Sequence, residues 1–250
     1  MKKVERFYNS VDDIWKRNST KDYHVGYYEK NDDTIIQAQK KVIKKVANSL
    51  EVKENDILLD VGCGSGNAAY EIGNIINCNV IGINISEKQL ADCIEYQKKS
   101  HRKIVFYRMD ACMMKFPASF FDGIYAIESI MHMERKCVIN NVYNSLKPKK
   151  KFVFTDWYIN KILSAAEKNL IAELIQSNYI GIEEYRKILS ESRFSEVQIE
   201  DWSAQVLPTY DVWKPDEYLF CLNAKLATKI QNLVEIAQEK LGYCEVIARK

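Results

Sequence analysis

The stretch Ile57-Leu-Leu-Asp-Val-Gly-Cys-Gly-Ser-Gly66 decides the fold, because a short apolar run ends directly in a turn that contains three glycines. The next segment, from Asn67 to Ile76, reads as a helix. Glycines after a buried strand let the backbone approach a ligand closely, and the free N–H groups at a helix start favour negative charge. A glycine-rich turn alone is a weak signal, but the strand–turn–helix context predicts a ligand site.

The spacing of the glycines excludes two common nucleotide sites. The dinucleotide fingerprint needs its third glycine where Asn67 stands, and it needs an acidic residue where Asn84 ends the second apolar run. The Walker A phosphate loop is also excluded, because no Gly-Lys-Ser or Gly-Lys-Thr occurs. The turn therefore predicts a ligand other than NAD or a nucleoside triphosphate.

Strands and helices alternate on both sides of this turn. Apolar runs of strand length recur at residues 57–61, 79–83, 104–107, 122–127 and 151–155. Residues 32–50 read as a helix, residues 159–192 as consecutive helices, and residues 216–240 as a helix between weaker strand patterns at 196–199 and 244–248. The pattern predicts an α/β fold: a Rossmann-like, doubly wound, seven-stranded sheet with N-terminal lid helices and a C-terminal helical insertion.

Composition and charge restrict the class of function. The 250 residues include 36 basic and 34 acidic side chains, so the net charge of +2 gives no global attraction to nucleic acid. No apolar run approaches membrane-spanning length, and no signal-peptide pattern follows Met1. The seven cysteines show no Cys-x-x-Cys spacing and no nearby histidine, so we expect reduced thiols, a cytoplasmic protein and no zinc cluster.

Motifs at successive strand ends resemble one family. Asp60-Val-Gly-Cys-Gly-Ser-Gly66 is similar to the first motif of class I methyltransferases that use S-adenosylmethionine, and Gly82-Ile-Asn-Ile-Ser86 is similar to the second. Arg108-Met-Asp-Ala111 resembles the adenine-side motif. Ala126-Ile-Glu-Ser-Ile-Met-His-Met133 resembles a segment of rebeccamycin-type O-methyltransferases and of tocopherol and sterol C-methyltransferases. His24-Val-Gly-Tyr-Tyr28 is similar to the N-terminal lid of that group.

The resemblance is close over residues 7–160 and only general beyond them. It implies three parts. Residues 1–50 are expected to form an N-terminal lid and helix, residues 51–158 a cofactor-binding α/β core, and residues 159–250 a set of acceptor-cap helices with the last two strands of the sheet. The sequence leaves the oligomeric state open.

The resemblance also implies S-adenosylmethionine as the cofactor. The expected cofactor-binding residues come from the lid and from three strand ends: Tyr23, His24, Tyr27, Asp60, Gly62, Gly64, Asn84, Ser86, Gln89, Asp110 and Ala111. Some of them have a second interpretation. Asp60 could hold the glycine turn, Ser86 could be only a helix N-cap, and the lid rings could be a hydrophobic anchor.

Three residues are candidates for catalysis. His132 lies just past the fourth strand, where an imidazole of ordinary pKa would accept a hydroxyl proton; a plain core or surface histidine is the alternative. Asp156 follows the fifth strand and is either a second base or a capping carboxylate. Glu128 would steady a cation if the acceptor were an alkene. We expect the reaction to need no metal, because His, Asp and Cys do not cluster at ligand spacing.

The expected reaction is methyl transfer to a small-molecule acceptor by in-line displacement, with a hydroxyl oxygen favoured. The alternatives are a C-methyltransferase on a prenyl or sterol-like alkene and a non-catalytic protein that binds the cofactor. Nucleic-acid methylation is disfavoured by the charge balance. An aromatic or lipophilic acceptor is suggested by rings in the C-terminal part: Trp157, Tyr158, Trp202, Tyr210, Trp213, Tyr218 and Phe220.

Overall fold

The computed structural model describes residues 22–30 and 32–250. The part of the predicted lid that falls on residues 1–21 lies outside these described residues. Seven strands follow one another along the chain: β1 Ile57–Val61, β2 Asn79–Asn84, β3 Ile104–Arg108, β4 Gly123–Ile127, β5 Lys151–Ile159, β6 Ser195–Asp201 and β7 Leu241–Arg249.

Helices alternate with these strands. They are α1 Ile35–Ser49, α2 Asn67–Ile76, α3 Glu87–Lys99, α4 Arg135–Ser145, α5 Ala165–Leu174, α6 Ile182–Glu191, α7 Ser203–Trp213 and α8 Glu217–Lys240. The predicted α/β fold class is confirmed. No helix within the described ranges is both long and apolar enough to cross a membrane.

The strands form a single sheet with the order β3-β2-β1-β4-β5-β7-β6. The strands from β1 to β5 are parallel, and β7 runs antiparallel to both β5 and β6. The strand order reverses between β1 and β4, so the crevice that binds ligands in open α/β sheets lies at the carboxyl ends of these two strands.

Both faces of the sheet are buried, and β1 shows how. Leu58 belongs to the same core cluster as Ile43 of α1, whereas Leu59 belongs to a second cluster with Val138 of α4 and Leu189 of α6. Neighbouring residues of a strand point to opposite faces, so a strand covered on both sides is apolar along most of its length, as β1 is apart from Asp60. Each buried leucine contributes roughly 2 kcal/mol of transfer free energy.

Helix α1 begins at Ile35 because Thr34 caps it. The Gln37 backbone N–H donates to Thr34 Oγ1 (3.3 Å), and the Thr34 N–H donates to Gln37 Oε1 (2.9 Å), which completes a capping box. Gln39 lies on the buried side of α1, and its Nε2 donates to the His24 carbonyl (2.7 Å). The helix thereby holds the segment that precedes it against the sheet.

Three features of the C-terminal half differ from the prediction. Residues 203–213, between the predicted strand at 196–199 and the predicted helix at 216–240, were assigned no element but form α7, which keeps Pro208 inside the helix. Proline usually breaks a helix interior, so the pattern around Pro208 does not predict a helix. Helix α8 is interrupted by non-helical torsions at Asn223. Strand β5 continues to Ile159, because β7 pairs with it along its whole length.

Candidate active site

The glycine turn after β1 lines a cavity of about 300 Å³ at the point where the strand order reverses. Gly62, Gly64 and Gly66 all have left-handed backbone torsions, with φ of 81°, 53° and 91°. A Cβ on Gly62 would lie 2.5 Å from Ser129 Cβ, and a Cβ on Gly66 would lie 2.8 Å from Phe106 Cζ. A Cβ on Gly64 would meet no protein atom within 4 Å. The first and third glycines therefore serve packing, while the second leaves space for a ligand.

Asp60 lies at the floor of this cavity with its carboxyl group buried. Its register partner on β4 is Tyr125, whose hydroxyl donates to Asp60 Oδ2 (3.0 Å). Burial raises the pKa of Asp60 to about 7, and the tyrosine hydrogen bond offsets only part of that effect. A cationic ligand group beside Asp60 would favour the ionised carboxylate.

The side chain of Asn84, at the carboxyl end of β2, holds the glycine turn by a hydrogen bond. Asn84 Nδ2 donates to the Gly64 carbonyl (3.1 Å) and to Gln89 Oε1 (2.9 Å). An ionised aspartate at this position could only accept hydrogen bonds, so it could not hold the Gly64 carbonyl. Ser86 Oγ accepts from the Gln89 N–H (3.2 Å) and caps α3. Asn84, Ser86 and Gln89 nevertheless all line the cavity.

The turn after β3 forms the next part of the wall. Asp110 and Ala111 line the cavity, and Asp110 Oδ1 accepts from the Cys112 N–H (2.9 Å). Asn141 of α4 donates through Nδ2 to the carbonyls of Ala111 (3.0 Å) and Cys112 (2.9 Å). Helix α4 thus holds the turn in place and leaves the Asp110 carboxylate at the cavity wall.

Glu128, at the end of β4, joins the N-terminal segment to the sheet. Its Oε1 accepts from the Val25 N–H (2.7 Å) and the Tyr243 hydroxyl (2.9 Å), and its Oε2 accepts from Trp157 Nε1 (3.1 Å). Burial raises the pKa of Glu128, although the charge of His24 and these three donors oppose the rise. The carboxylate is therefore held on the cavity wall by donors from three parts of the chain.

The N-terminal segment crosses the cavity and is anchored beyond it. Residues 22–24 line the cavity. The Gly26 N–H donates to Thr209 Oγ1 (3.0 Å), and the Tyr28 N–H donates to the Gln205 carbonyl (3.0 Å), so the anchor is helix α7. This helix, which the sequence did not predict, thereby supports one wall of the site.

A short 3₁₀ turn, Ile130–His132, follows β4 and places His132 on the cavity wall. His132 hydrogen-bonds to the backbone of Gln176. Ser177 Oγ donates to the Met131 carbonyl (2.9 Å) within the same turn. The segment between α5 and α6 therefore sets the orientation of the imidazole.

The pKa of His132 differs from the ordinary value that the sequence suggested. Burial, with a smaller contribution from the nearby Arg135 charge, lowers the pKa to about 4 against the opposing effect of the Gln176 hydrogen bond. The imidazole is consequently neutral at physiological pH and can accept a proton without losing one first.

Comparison with known proteins adds the class of activity. Residues 59–154 match the model of a family described as a methyltransferase domain. The 27-O-demethylrifamycin SV methyltransferase of Amycolatopsis mediterranei is 28% identical over 218 residues, which cover 84% of this chain and 78% of the relative. The sterol 24-C-methyltransferase of Kluyveromyces lactis is 31% identical over 154 residues, which cover 60% of this chain and 41% of the relative.

Residues 59–154 form a methyltransferase domain. Among solved structures, the mycolic acid cyclopropane synthase CmaA1 in complex with S-adenosylhomocysteine superposes with a TM-score of 0.85 at 18% identity, over 99% of this chain and 97% of that one. This likeness shows the shared fold. The chain therefore contains a methyltransferase domain, for which the expected cofactor is S-adenosylmethionine.

The cavity of the methyltransferase suits this cofactor on two observations. The space beside Gly64 is free of protein atoms. His24 is 6% exposed and uses Nδ1 in a hydrogen bond with the Val25 carbonyl (2.8 Å), whereas its Nε2 has no hydrogen-bond partner among residues 22–30 and 32–250. A buried polar atom without a partner is costly, so a polar ligand group at Nε2 would relieve that cost.

Most residues predicted to bind the cofactor lie around this one cavity of the methyltransferase. They are Tyr23, His24, Asp60, Gly62, Gly64, Asn84, Ser86, Gln89, Asp110 and Ala111, together with Glu128 and His132 from the catalytic candidates. The prediction missed other lining residues, including Asp22, Ser65, Cys112, Met133 and Glu134. Ser65 and Met133 lie within motifs quoted above but were not predicted to bind the cofactor, whereas Asp22, Cys112 and Glu134 lie outside those motifs and reach the wall through tertiary packing.

Asp156 does not line the cavity, which corrects its expected position. Strand β5 continues beyond it, and alternation places Asp156 on the same face as Phe154, toward α6. There its carboxyl group accepts from the Tyr185 hydroxyl and the Trp157 N–H (2.9 Å). Burial raises its pKa to about 7, although the charge of Arg135 opposes the rise. In this position Asp156 connects β5 to α6.

Tyr27 and the C-terminal aromatic residues also lie away from the cavity. The Tyr27 ring packs edge-on against Trp202, with 5.1 Å between ring centroids, so it serves as the hydrophobic anchor. Trp202 at the start of α7 and Tyr210 within that helix are buried, and Tyr218 is 59% exposed on α8. The aromatic stretch therefore contributes to the core and the surface of the methyltransferase, and it does not line the cavity described above.

Proposed function

We propose that the protein transfers the methyl group of S-adenosylmethionine to a hydroxyl oxygen of a small molecule, with His132 as the general base. The position of His132 on the wall of the cavity that contains the glycine turn carries this proposal. The rifamycin relative, whose name describes an O-methylation, supports an oxygen acceptor. The balanced surface charge supports a small acceptor over a nucleic acid.

We assign the parts of the cavity to the cofactor by the chemistry of their side chains. Asp60 and His24 are placed for the charged methionine end, Asn84 and Gln89 for the ribose hydroxyls, and Asp110 for the adenine amine. When bound, the cofactor supplies an electrophilic methyl group on a sulfonium. The N-terminal segment over the cavity would exclude water from that reactive centre.

His132 fits the role of a base that acts late. Its pKa of about 4 makes it a weak base toward a free hydroxyl. The hydroxyl proton becomes acidic only as the oxygen gains the methyl group, and at that stage a neutral imidazole within reach can take it. A neutral imidazole also avoids placing a second positive charge beside the sulfonium.

The decisive experiment compares His132→Ala with His101→Ala, since His101 is an exposed histidine on the loop before β3. We expect His132→Ala to lower turnover about a hundredfold and to change S-adenosylhomocysteine affinity only a few-fold. At saturating S-adenosylmethionine, whose charged end keeps Asp60 ionised, the rate of the unchanged enzyme should be flat from pH 6 to 8 and should fall toward pH 4, where the imidazole becomes protonated. Full turnover in His132→Ala would contradict a basic role.

A second candidate function is methylation of an alkene carbon. The observation that favours it is the buried Glu128 carboxylate on the cavity wall, which could steady a carbocation. The sterol C-methyltransferase relative agrees with this possibility over the shared domain. Transfer of a ¹³C-methyl group distinguishes the two, because NMR separates a methyl on oxygen from one on carbon. In the second case Glu128→Gln, and not His132→Ala, should abolish turnover.

We also infer that the protein works in a reducing compartment, such as the cytoplasm. All seven cysteines are free in the structure, and Cys63, Cys78, Cys93 and Cys244 are buried as thiols. Free buried thiols are typical of proteins that fold under reducing conditions.

A further inference from the structure

Three metal-ligating side chains meet beside the cavity, and two of them, Cys112 and Glu134, line it. The thiols of Cys112 and Cys137 and a carboxylate oxygen of Glu134 all lie within 4.8 Å of one another. Cys112 follows the β3 turn, Glu134 is the N-cap of α4, and Cys137 lies in the first turn of that helix. None of these residues has a part in the methyl transfer proposed above.

The surrounding hydrogen bonds hold this cluster together. Glu134 Oε2 accepts from the Cys137 N–H (2.6 Å), so the carboxylate is oriented by the helix it caps. The Cys137 thiol donates to the Cys112 carbonyl (3.4 Å), and that carbonyl also accepts from Asn141 Nδ2 (2.9 Å). The backbone segments that carry the three ligands are therefore already joined before any ion binds.

We propose that Cys112, Glu134 and Cys137 form a binding site for Zn²⁺ or a similarly thiophilic divalent cation. Two thiolates and one carboxylate are a donor set that such ions prefer, and three protein ligands leave a fourth position for water. Both thiols are half-buried and Glu134 is exposed, so an ion can enter from solvent. A disulfide between the cysteines would make no use of the carboxylate that completes the cluster.

The position of the site connects it to the cofactor cavity. Cys112 and Glu134 line that cavity, and Cys112 adjoins the Asp110–Ala111 turn. An ion held by both residues would tie this turn to α4 more firmly than the Asn141 hydrogen bonds do. The site is separate from the residues assigned to the transferred methyl group, so its test needs no methyl acceptor.

The test measures metal binding directly on the reduced 250-residue protein. Zn²⁺ is titrated in competition with a chromophoric chelator, and Co²⁺ is used as a spectroscopic probe. We expect one Zn²⁺ per chain and a thiolate-to-cobalt charge-transfer band. Cys112→Ser and Cys137→Ser should each weaken Zn²⁺ binding at least tenfold and remove most of the band, because each loses one thiolate.

The matched control is Cys221→Ser, because Cys221 is an exposed cysteine on α8, outside the cluster. It should bind Zn²⁺ as the unchanged protein does, and circular dichroism should show that all variants are folded. Equal Zn²⁺ affinity in Cys137→Ser and the unchanged protein would overturn the proposal. A Co²⁺ spectrum without a thiolate band would overturn it as well. S-adenosylhomocysteine binding, measured on the same samples, reports separately on the cofactor site.

Discussion

Gly64 and Gly66 show how the same backbone torsion can serve two purposes. Both residues have positive φ, so any L-residue placed there costs roughly 1–2 kcal/mol of backbone strain. Their surroundings differ, because an added Cβ enters open space at Gly64 but lies 2.8 Å from Phe106 and 2.9 Å from Cys93 at Gly66. The absence of a side chain at Gly64 leaves space for a ligand, whereas at Gly66 it allows close packing with Phe106 and Cys93.

We therefore expect opposite profiles for two alanine substitutions. Gly64→Ala should lower S-adenosylhomocysteine affinity at least tenfold, with a loss of stability limited to the backbone strain. Gly66→Ala should lower the melting temperature more than Gly64→Ala does, because Phe106 and Cys93 must shift. Calorimetry and thermal unfolding measure the two effects. Unchanged affinity in Gly64→Ala would show that no ligand approaches the turn at this residue.

At the scale of elements, the N-terminal segment forms a part of the cavity wall that lies outside the sheet and its strand ends. Residues 22–24 line the cavity, while the bonds of Val25 to Glu128 and of Gly26 to Thr209 anchor the chain just after them. This division separates a ligand-facing part from an anchoring part. A truncation between the two parts can test the first without removing the second.

Deletion of residues 1–24 should leave a folded protein that binds S-adenosylhomocysteine at least tenfold more weakly. The reason is the loss of His24 and Tyr23 from the wall, with the anchoring bonds retained. His24→Ala should reproduce part of the loss, and Lys30→Ala, at an exposed position of the same segment, should reproduce none of it. Should the truncated protein keep full affinity, the segment would serve only as packing against α1 and α7.

At the scale of the whole molecule, buried carboxyl groups give the stability an unusual pH dependence. Burial raises the pKa values of Asp60, Asp156 and Glu245 to about 7 in the folded protein. In the unfolded chain such groups ionise near pH 4. Between these limits the folded state binds more protons, so each group makes the free energy of unfolding fall as pH rises, by about 1.4 kcal/mol per pH unit.

His132 acts in the opposite direction. Its folded pKa is about 4, so between pH 4 and 6.5 the unfolded state binds the extra proton and stability rises with pH. Three carboxyl groups outweigh one imidazole, and we expect the free energy of unfolding to fall from pH 5 to pH 7. Denaturant titrations at several pH values measure the slope. The fall in the free energy of unfolding with pH should be smaller in Asp156→Asn and larger in His132→Ala. A free energy of unfolding that rises with pH, and does so equally in both variants and the unchanged protein, would refute this account.

The sequence by itself determined the class of fold and excluded two nucleotide ligands, while its resemblance to a family implied S-adenosylmethionine. The glycine turn, the Asn84 position and the alternation of apolar runs are local features, and local backbone geometry decides what they form. The same local patterns placed the motifs at the ends of strands. Parallel strands bring their carboxyl ends to one edge of the sheet, so these motifs were expected to lie together. The position of the cavity followed without knowledge of any long-range contact.

Only the tertiary structure decided which way several side chains face and what surrounds them. Asp156 turned away from the cavity because β7, paired with β5, extends that strand past it. The imidazole of His132 lost basicity because the segment between α5 and α6 buries it. Cys112 met Glu134 and Cys137 because α4 packs beside the β3 turn. Each outcome depends on elements far apart in the chain, and spacing along the sequence carries no record of such contacts.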